Sequence, residues 1–270
     1  MSDLSISIVL YNNDKRMVDE VVRSCLESTI TPFVVIIDHS NDDRFTYFSD
    51  NKRVAYYRTH NNTGFGSGHN VALKKYEVLN RYKYHLVLNP DISFSSEVLS
   101  ELVSYLEVEK EVGAIMPRIA NLDGTLQFAR RLLPKPTHIL MKRLRPQSAL
   151  AKEYEIMDME PKKPVEVCGL CGCFIMFRCD VLSKAGLFDE RFFMYFEDFD
   201  LARRVSLLSK VIYYPGVSVM HAANREHRRS LRLLYFLISS AIKYFGKWGY
   251  IDSARDKINS KAIEQIKKSL

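Results

Sequence analysis

The sequence predicts an α/β protein in which a mixed, mostly parallel central sheet is flanked by helices and followed by a helical C-terminal extension. In the first half of the chain, short apolar runs rich in β-branched residues alternate with amphipathic helical patterns. Several of these runs are apolar on both faces, which is typical of strands inside a parallel sheet. The chain has 270 residues, of which 47% are hydrophobic, so it can bury a sizeable core, and disordered and fibrous classes are excluded.

The first half predicts four strands and three helices. The strands are expected over residues 4–11, 33–39, 54–58 and 84–88, and the helices over residues 15–28, 69–80 and 95–109. A glycine-rich run precedes the second helix, and an Asn-Pro-Asp turn follows the fourth strand. This order places the ends of the strands on one side of the sheet.

The second half is less regular. The sheet resumes at residues 112–117, a hairpin turn is expected at Asp123 and Gly124, and the polar, proline-dotted residues 132–164 predict a mobile loop. A buried strand over 165–177, helices over 180–185 and 197–208, and short strands over 211–214 and 217–220 follow. Two further helices are expected over 230–248 and 251–269.

The formal net charge of +7 is concentrated at the C-terminus. Residues 1–224 contain 28 basic and 28 acidic side chains, whereas residues 225–270 contain 11 basic and 4 acidic ones. A neutral body with a basic extension is not the layout of a protein that follows a phosphate backbone, so no nucleic acid partner is expected. The extension instead favours an anionic membrane surface, and the alternative is that its apolar face packs on the body.

No secretory signal and no segment long enough to span a membrane is visible in the sequence. The N-terminus lacks a cationic start, and the most apolar part of the tail, residues 233–242, is shorter than the roughly 20 residues that a spanning helix needs. The five cysteines are an odd number, which favours reduced thiols. These observations predict a cytoplasmic protein.

Four of the cysteines fall within residues 168–179 and suggest a metal cluster. Cys168 and Cys171 have CxxC spacing, but no second such pair and no histidine pair completes a tetrahedral site. Residues 165–177 are therefore interpreted as a buried strand with small side chains.

Three clusters of residues could carry chemistry. The glycine-rich run 63–70 opens a helix and could receive phosphate, although His69 stands at the third glycine position of a dinucleotide fingerprint and a simple tight turn fits equally well. Asp91 ends a strand, where a carboxylate suits Mg²⁺ or Mn²⁺ on a diphosphate, and an Asp after Pro is also a common turn former. His221 ends another strand and is either structural or a ligand near Asp91.

The third cluster lies at the start of the helix over 197–208. Glu197, Asp198 and Asp200 could complement the helix dipole. However, the apolar residues 192–196 before them would desolvate a carboxylate and raise its pKa toward that of a general base.

Together these pieces resemble the family 2 glycosyltransferases over residues 5–221. The resemblance is carried by seven motifs in order: SIVLYN (7–12), VIID (35–38), NTGFGSGHN (62–70), LNPD (88–91), CGCFIMFR (171–178), GLFD (186–189) and FEDFDLARR (196–204). It implies the nucleotide-sugar-binding glycosyltransferase A-type fold and an inverting transfer.

The resemblance also implies roles for single residues. Asp198 would be the general base, and Asp91 would hold a divalent cation, Mg²⁺ or Mn²⁺, with His221 as a second ligand. On the donor side it implies Tyr11, Asn12, Asp38, Gly64, Gly66, His69, Asn89 and Asp91, and on the acceptor side Gly172, Glu197, Arg204 and Arg130. Asn89 departs from the Asp-x-Asp motif that the family often shows, which would weaken cation binding.

Within the family, the Asn-Pro-Asp turn and the segments 123–131 and 242–250 resemble the rhamnosyltransferase-like branch. This implies dTDP-rhamnose as donor, with UDP-galactose, UDP-glucose or UDP-N-acetylglucosamine as alternatives. It further implies a polyprenyl-diphosphate-linked saccharide acceptor in cell-surface polysaccharide synthesis, at the inner face of the plasma membrane. Residues 1–224 would form the catalytic domain and residues 225–270 the extension, and a dimer is left open. A nucleotide-dependent oxidoreductase and a non-catalytic basic adaptor are the competing classes.

Overall fold

The computed structural model describes residues 3–59, 61–127, 129–156, 159–222 and 230–270, and its centre is a nine-stranded mixed sheet. The strands are β1 (Leu4–Leu10), β2 (Phe33–Asp38), β3 (Val54–Arg58), β4 (Tyr84–Leu88), β5 (Ile92–Ser93), β6 (Val112–Ala120), β7 (Val165–Glu166), β8 (Phe174–Arg178) and β9 (Lys210–His221). Their order is β3-β2-β1-β4-β8-β6-β9-β5, and β7 pairs with β9.

The first four strands form the parallel half of this sheet. β1 pairs with β2 and β4, and β2 pairs with β3, all in parallel. β8 runs antiparallel to both β4 and β6, whereas β6 and β9 are parallel. Parallel strands covered by helices on both faces must be apolar throughout, which explains the nearly continuous burial of β1, β2 and β4. The predicted α/β fold class is thereby confirmed.

The helices cover the two faces of the sheet and extend the C-terminal end. They are α1 (Lys15–Leu26), α2 (Phe65–Lys75), α3 (Val78–Arg81), α4 (Val98–Val108), α5 (Pro136–Leu144), α6 (Ala149–Glu155), α7 (Cys179–Ala185), α8 (Glu197–Ser206), α9 (Leu231–Trp248) and α10 (Ser253–Lys268). Asp14 caps α1 by accepting from the backbone N–H groups of Arg16 and Met17, as expected for an N-terminal carboxylate.

Four predictions are wrong in detail. The two short strands predicted over 211–214 and 217–220 form the single strand β9. α2 begins at Phe65 rather than at residue 69, because the glycine-rich run itself forms its first turn. The segment 132–164 contains α5 and α6 instead of being a loop, and the rings of His138 and Tyr154 join these helices at 5.2 Å. The single strand predicted over 165–177 is divided into β7 and β8, and Cys171 lies in the loop between them.

The two C-terminal helices pack on α8. Trp248 Nε1 donates to Asp200 Oδ1 over 2.8 Å, and the buried side chains of Arg203 and Asp252 form an ion pair of 2.6 Å. Asn259 in α10 reaches further and binds both the N–H and the carbonyl of Leu133. The predicted domain boundary at 224/225 and the basic residues Arg225, Arg228 and Arg229 lie outside the described residues.

Candidate active site

An open cleft of about 270 Å³ lies where β1, β2 and β4 end and α2 begins. In α/β proteins, ligands bind at this edge, beyond the carboxyl ends of the parallel strands. The predicted donor-side residues Tyr11, Gly64, Asn89 and Asp91 line the cleft. Eight further residues line the cleft that the sequence did not identify as site residues, namely Val9, Asn13, His39, Asn62, Phe65, Pro90, Phe193 and Met194.

Gly64 is required at the N-terminus of α2 by two features. Its φ is +100°, a conformation that residues with a Cβ rarely adopt, and a Cβ there would lie 2.3 Å from the carbonyl oxygen of Phe193. The next residue, Phe65, donates its N–H to that same oxygen over 3.0 Å. The glycine therefore lets the segment that leads into α8 approach the cleft wall.

Asn70 connects the glycine-rich motif 62–70 to the GLFD motif 186–189. Its side chain donates to the carbonyl of Phe188 over 2.9 Å and accepts from the N–H of the same residue over 3.0 Å. Gly66 lies under the ring of Phe188, where a Cβ would come within 2.8 Å. The GLFD segment is thus fixed against α2, and Gly66 serves packing rather than lining the cleft.

Asp38 and His69 do not line the cleft, because both are fully buried. Asp38 accepts from the N–H of Ser40 and from the hydroxyl of Tyr56, each over 2.8 Å. Asn12, also predicted on the donor side, has a left-handed φ of 55° and donates its N–H to Ser40 Oγ. These residues shape the loops at the strand ends, and their contact with a nucleoside stays a prediction.

Beneath the cleft, two buried histidines form a hydrogen-bonded chain with two serines. Ser7 Oγ lies 2.6 Å from His69 Nδ1 and 2.8 Å from His85 Nε2, and Ser5 Oγ lies 2.8 Å from His85 Nδ1. Burial lowers the pKa of His85 to about 3 and that of His69 well below its ordinary value. Both imidazoles are therefore neutral at pH 7 and support the floor of the cleft.

Asp91 and His221 meet at the edge of the cleft, as the metal prediction required. Asp91 Oδ2 lies 3.2 Å from His221 Nε2, and the carbonyl of Asp91 accepts from Ala222 N–H over 2.9 Å. β5 and β9 pair Ile92 with His221, which brings the two residues together although they are far apart in sequence. Burial alone would lower the pKa of His221, but the hydrogen bond and charge of Asp91 raise it.

Asp91 and His221 together could bind a divalent cation, because their side chains offer suitable ligand atoms. Asp91 Oδ1 is buried and has no hydrogen-bond partner, so one carboxylate oxygen is available as a hard ligand. Gln127 orients His221, since its Oε1 lies 2.8 Å from Nδ1 and its amide donates to the His221 carbonyl. No group of three or more metal-binding side chains occurs in the described ranges, so the protein would supply two ligands and leave the others to phosphate and water.

Asp198 lies at the first turn of α8 and is held by two backbone donors. Gly172 N–H donates to Oδ2 over 3.0 Å, and Phe199 N–H donates to Oδ1 over 2.8 Å. Burial and the charge of Cys171 raise its pKa to about 6, although Arg131 and both backbone donors act in the opposite direction. A fixed carboxylate with this pKa suits a general base near neutral pH.

Glu197 lies beside Asp198 and also has a raised pKa. Its side chain is buried, and burial together with the charge of Asp198 raises its pKa well above the ordinary value. One of its oxygens, Oε2, has no partner in the described part of the chain. The pKa of Glu197 is therefore raised by burial and by the charge of Asp198, and Glu197 holds its proton more tightly than an exposed glutamate would.

The two arginines of segment 123–131 occupy different environments. Arg130, predicted on the acceptor side, is fully buried, with its guanidinium 4.9 Å from the ring centre of Tyr213 and donating to the carbonyl of Met159. Arg131 instead is close enough to Asp198 and Cys171 for their charges to act on it. Arg130 is thus buried against Tyr213 and its acceptor-side role stays a prediction, whereas Arg131 is the arginine on which the charge of Asp198 acts.

Arg204 and Asp200 fix α8 to the loop before it. Arg204 donates to the carbonyls of Ala185, Gly186 and Leu187 and to Asp200 Oδ2. Asp200 is fully buried and is also contacted by Lys247 and Trp248 of α9. Arg204 therefore shapes the predicted acceptor side indirectly, by holding the GLFD loop.

The sequence motifs described above were compared with families of known proteins. Residues 5–186 match the family model described as Glycosyl transferase family 2, which is more than half of the chain. The match confirms the family 2 resemblance and covers the five motifs between residues 7 and 178.

Among curated proteins, three relatives share the sequence at modest identity. The low-salt glycan biosynthesis hexosyltransferase Agl10 of Haloferax volcanii is 28% identical over 76% of this chain and 62% of its own length. The N-acetylglucosaminyl-diphospho-decaprenol L-rhamnosyltransferase of Mycobacterium tuberculosis is 28% identical over 50% of this chain and 46% of its own. Rhamnosyltransferase WbbL of Escherichia coli is 26% identical over 61% of this chain and 63% of its own. The chain thus spans about half to two thirds of these relatives.

Solved structures share the fold at lower identity. A crystal structure of GalNAc-T7 with UDP, GalNAc and Mn²⁺ superposes with a TM-score of 0.61 at 17% identity, over 84% of this chain and 45% of that one. Staphylococcus aureus TarS 1–349 in complex with UDP-GlcNAc gives a TM-score of 0.62 at 13% identity, over 98% of this chain and 72% of that one.

Proposed function

The chain belongs to glycosyl transferase family 2, and from this premise we propose that it is an inverting, cation-dependent glycosyltransferase. It would move a sugar from a nucleoside-diphosphate donor to a hydroxyl of a lipid-linked saccharide. The donor would bind in the cleft at the ends of β1, β2 and β4. The acceptor would approach from the side of Asp198.

One observation carries this proposal: Asp91 has one oxygen 3.2 Å from His221 Nε2 and the other buried without a partner, at the wall of the cleft. A divalent cation held by this pair would neutralise charge on the departing nucleoside diphosphate. Asn89 supplies no carboxylate, so we expect the protein to bind the cation weakly until the donor phosphates add their oxygens.

Asp198 would act as the base in a single displacement. It accepts the proton of the acceptor hydroxyl while that oxygen bonds to the anomeric carbon. The bond from this carbon to the nucleoside diphosphate breaks on the opposite face, and the leaving oxygen keeps the electron pair. The two N–H donors from Gly172 and Phe199 orient the carboxylate, and they also stabilise its ionised form before the reaction.

For the donor we rank dTDP-L-rhamnose first. Two of the relatives are named rhamnosyltransferases. UDP-sugars are the alternatives, because a few pocket contacts determine which donor is used, and both fold neighbours carry uridine nucleotides.

For the acceptor we propose a saccharide on a polyprenyl diphosphate, as the name of the mycobacterial relative describes for that enzyme. A stripe of exposed apolar residues on α9, formed by Leu231, Tyr235, Ile238 and Ile242, would rest on the membrane that holds such a lipid. α9 also contacts the cleft wall, since the rings of Phe236 and Phe193 stack at 4.4 Å. No helix in the described part of the chain is long and apolar enough to span a membrane. We propose that the protein acts at the inner face of the plasma membrane.

The direct test is nucleotide-sugar binding, measured as protection against thermal unfolding with and without Mn²⁺. We expect dTDP-rhamnose or one UDP-sugar to raise the Tm, and the rise to require the cation. Transfer to a synthetic N-acetylglucosaminyl-diphospho-lipid, followed by determination of the anomeric configuration, then tests the reaction. Protection by a nicotinamide cofactor without any by nucleotide sugars would contradict the proposal.

A further inference from the structure

Arg131 is a charged side chain that has no ion pair at contact distance in the described part of the chain, although Asp198 and Cys171 act on it at longer range. Its side chain is partly buried, its Nε is buried without a hydrogen-bond partner, and no carboxylate of a described residue forms an ion pair with it. A guanidinium that is withdrawn from water without a partner is costly, whereas phosphate and carboxylate groups bind it through two parallel hydrogen bonds. This combination is typical of a site completed by an anionic ligand.

The position of Arg131 is fixed by its backbone. Its N–H donates to the carbonyl of Gly169 over 3.1 Å, and the two residues form an antiparallel bridge. Three residues later in the same loop, Gly172 binds Asp198. A Cβ on Gly169 would lie 2.5 Å from the carbonyl oxygen of Arg131, so this glycine lets the two segments approach. The segment that carries Arg131 is therefore bridged to the loop that also holds the proposed base.

The charges around Arg131 agree with this position. Burial alone would lower its pKa, but Cys171, Tyr154 and Asp198 outweigh that effect and raise it. The side chain is cationic at every physiological pH, and the charge of Asp198, the proposed base, acts on it. Arg131 is absent from the lining of the donor cleft, which includes Asp91.

We propose that Arg131 binds the diphosphate of the lipid-linked acceptor. This inference rests on the proposed function, and it adds the group by which the enzyme recognises its acceptor. When the reacting hydroxyl belongs to the sugar attached to the diphosphate, one pyranose ring separates the attacked oxygen from the first phosphate. A cation beside Asp198 then holds that phosphate while the hydroxyl lies against the base, which orients the acceptor.

The experiment compares two farnesyl-linked N-acetylglucosamines that differ in one group, one joined through a diphosphate and one through an ether. Binding to the full chain is measured by calorimetry without donor, for the wild type, Arg131→Gln and Arg131→Lys. A matched control, Arg145→Gln, removes an exposed arginine at the end of α5. Thermal unfolding of each variant shows whether it is folded, and Arg131→Lys keeps the charge if Arg131→Gln is unstable.

We expect the wild type and Arg145→Gln to bind the diphosphate compound at least about tenfold more tightly than the ether, as charge-assisted hydrogen bonds suggest. Arg131→Gln should lose this preference, and Arg131→Lys should keep part of it. Equal binding of both compounds by the wild type, or an unchanged preference in the folded Arg131→Gln variant, would overturn the proposal.

A separate measurement distinguishes the two proposals. Binding of dTDP and UDP with Mn²⁺ reports the donor cleft alone, and the Arg131 variants should leave it unchanged. Loss of nucleotide binding in Arg131→Gln with an unchanged diphosphate preference would assign the side chain to the donor instead. Absence of nucleotide binding in the wild type would refute the proposed function. The effect of Arg131 on the preference for the diphosphate compound is measured without nucleotide, so it tests the further inference independently.

Discussion

The backbone N–H of Gly172 donates to Asp198 Oδ2 over 3.0 Å and thereby connects the loop between β7 and β8 to the first turn of α8. A Cβ at position 172 would lie 3.2 Å from the ring of Phe65 and 3.4 Å from Cβ of Asp198. The small residue allows the loop, the cleft wall and the carboxylate to meet. The orientation of Asp198 is therefore determined by backbone that the sequence places 26 residues earlier.

Replacement of this carboxylate tests its role. Asp198→Asn keeps the size of the side chain and removes the base, so we expect kcat to fall by about 10²- to 10⁴-fold. The dissociation constant of the nucleotide should not change, because Asp198 is not among the residues that line the donor cleft. Transfer assays and nucleotide titrations measure the two quantities separately. Retention of full activity by the variant would assign the base elsewhere.

The pH dependence follows from the same residue. Burial and Cys171 raise the pKa of Asp198 to about 6, and only its ionised form accepts a proton. As the pH falls through 6, the ionised fraction decreases, so kcat/KM should drop by about tenfold for each unit below that value. Cys171→Ser should move this limb to lower pH, because the Cys171 thiol group contributes to the raised pKa of Asp198. A profile that stays flat down to pH 5 would contradict the assignment.

The cation site leads to a prediction about affinity. Asp91→Asn keeps a neutral oxygen but loses the charge that faces His221 at 3.2 Å. We expect Mn²⁺-dependent binding of the nucleoside diphosphate to weaken by tenfold or more, while binding of the nucleoside alone stays the same. Calorimetry with and without Mn²⁺ gives both values. Asp50→Asn, at an exposed position before β3, serves as the control for a lost carboxylate.

The sequence predicted the parallel half of the sheet because strands buried on both faces leave an unambiguous apolar pattern. It also placed Asp91 and Asp198 at the ends of elements, where strand stops and helix starts are marked by proline and acidic residues. The meeting of Asp91 with His221 required β5 and β9 to pair, and this long-range register is not encoded in any local pattern.

The sequence did not show which of the two arginines at 130 and 131 is buried or that Cys171 lies in a loop, and both have a physical reason. Adjacent residues of an extended segment point to opposite sides, so Arg130 and Arg131 cannot both face the site. Nothing in the local sequence says which of them is buried against Tyr213. The small apolar residues around Cys171 fit a strand and a tight loop equally well. In the structure they form a loop, in which the Gly172 N–H donates to Asp198 rather than to a neighbouring strand.

The junction of α8 and α9 should contribute to stability. Trp248 donates over 2.8 Å to Asp200, a fully buried carboxylate, and its ring lies 4.1 Å from the guanidinium of Arg203. Trp248→Phe removes a hydrogen bond to a charged group and should lower the free energy of unfolding by about 1.5–3 kcal/mol. Urea unfolding measures this value. Tyr250→Phe, at an exposed neighbour, should change it little, and equal effects would argue against the Asp200 contact as the cause.

The apolar stripe on α9 leads to a prediction about membrane binding. Ile238 and Ile242 are 52% and 58% exposed, and they lie on the same face of the helix as Leu231 and Tyr235. Each isoleucine that enters a lipid interface would gain about 1 kcal/mol from burial of its exposed part. The double variant Ile238→Asn/Ile242→Asn should therefore weaken binding to anionic vesicles by about tenfold or more, in a sedimentation assay. Val108→Asn, at the exposed end of α4, is the matched control for a lost apolar side chain. If the double variant and the control bind vesicles as the wild type does, the stripe is not the membrane contact.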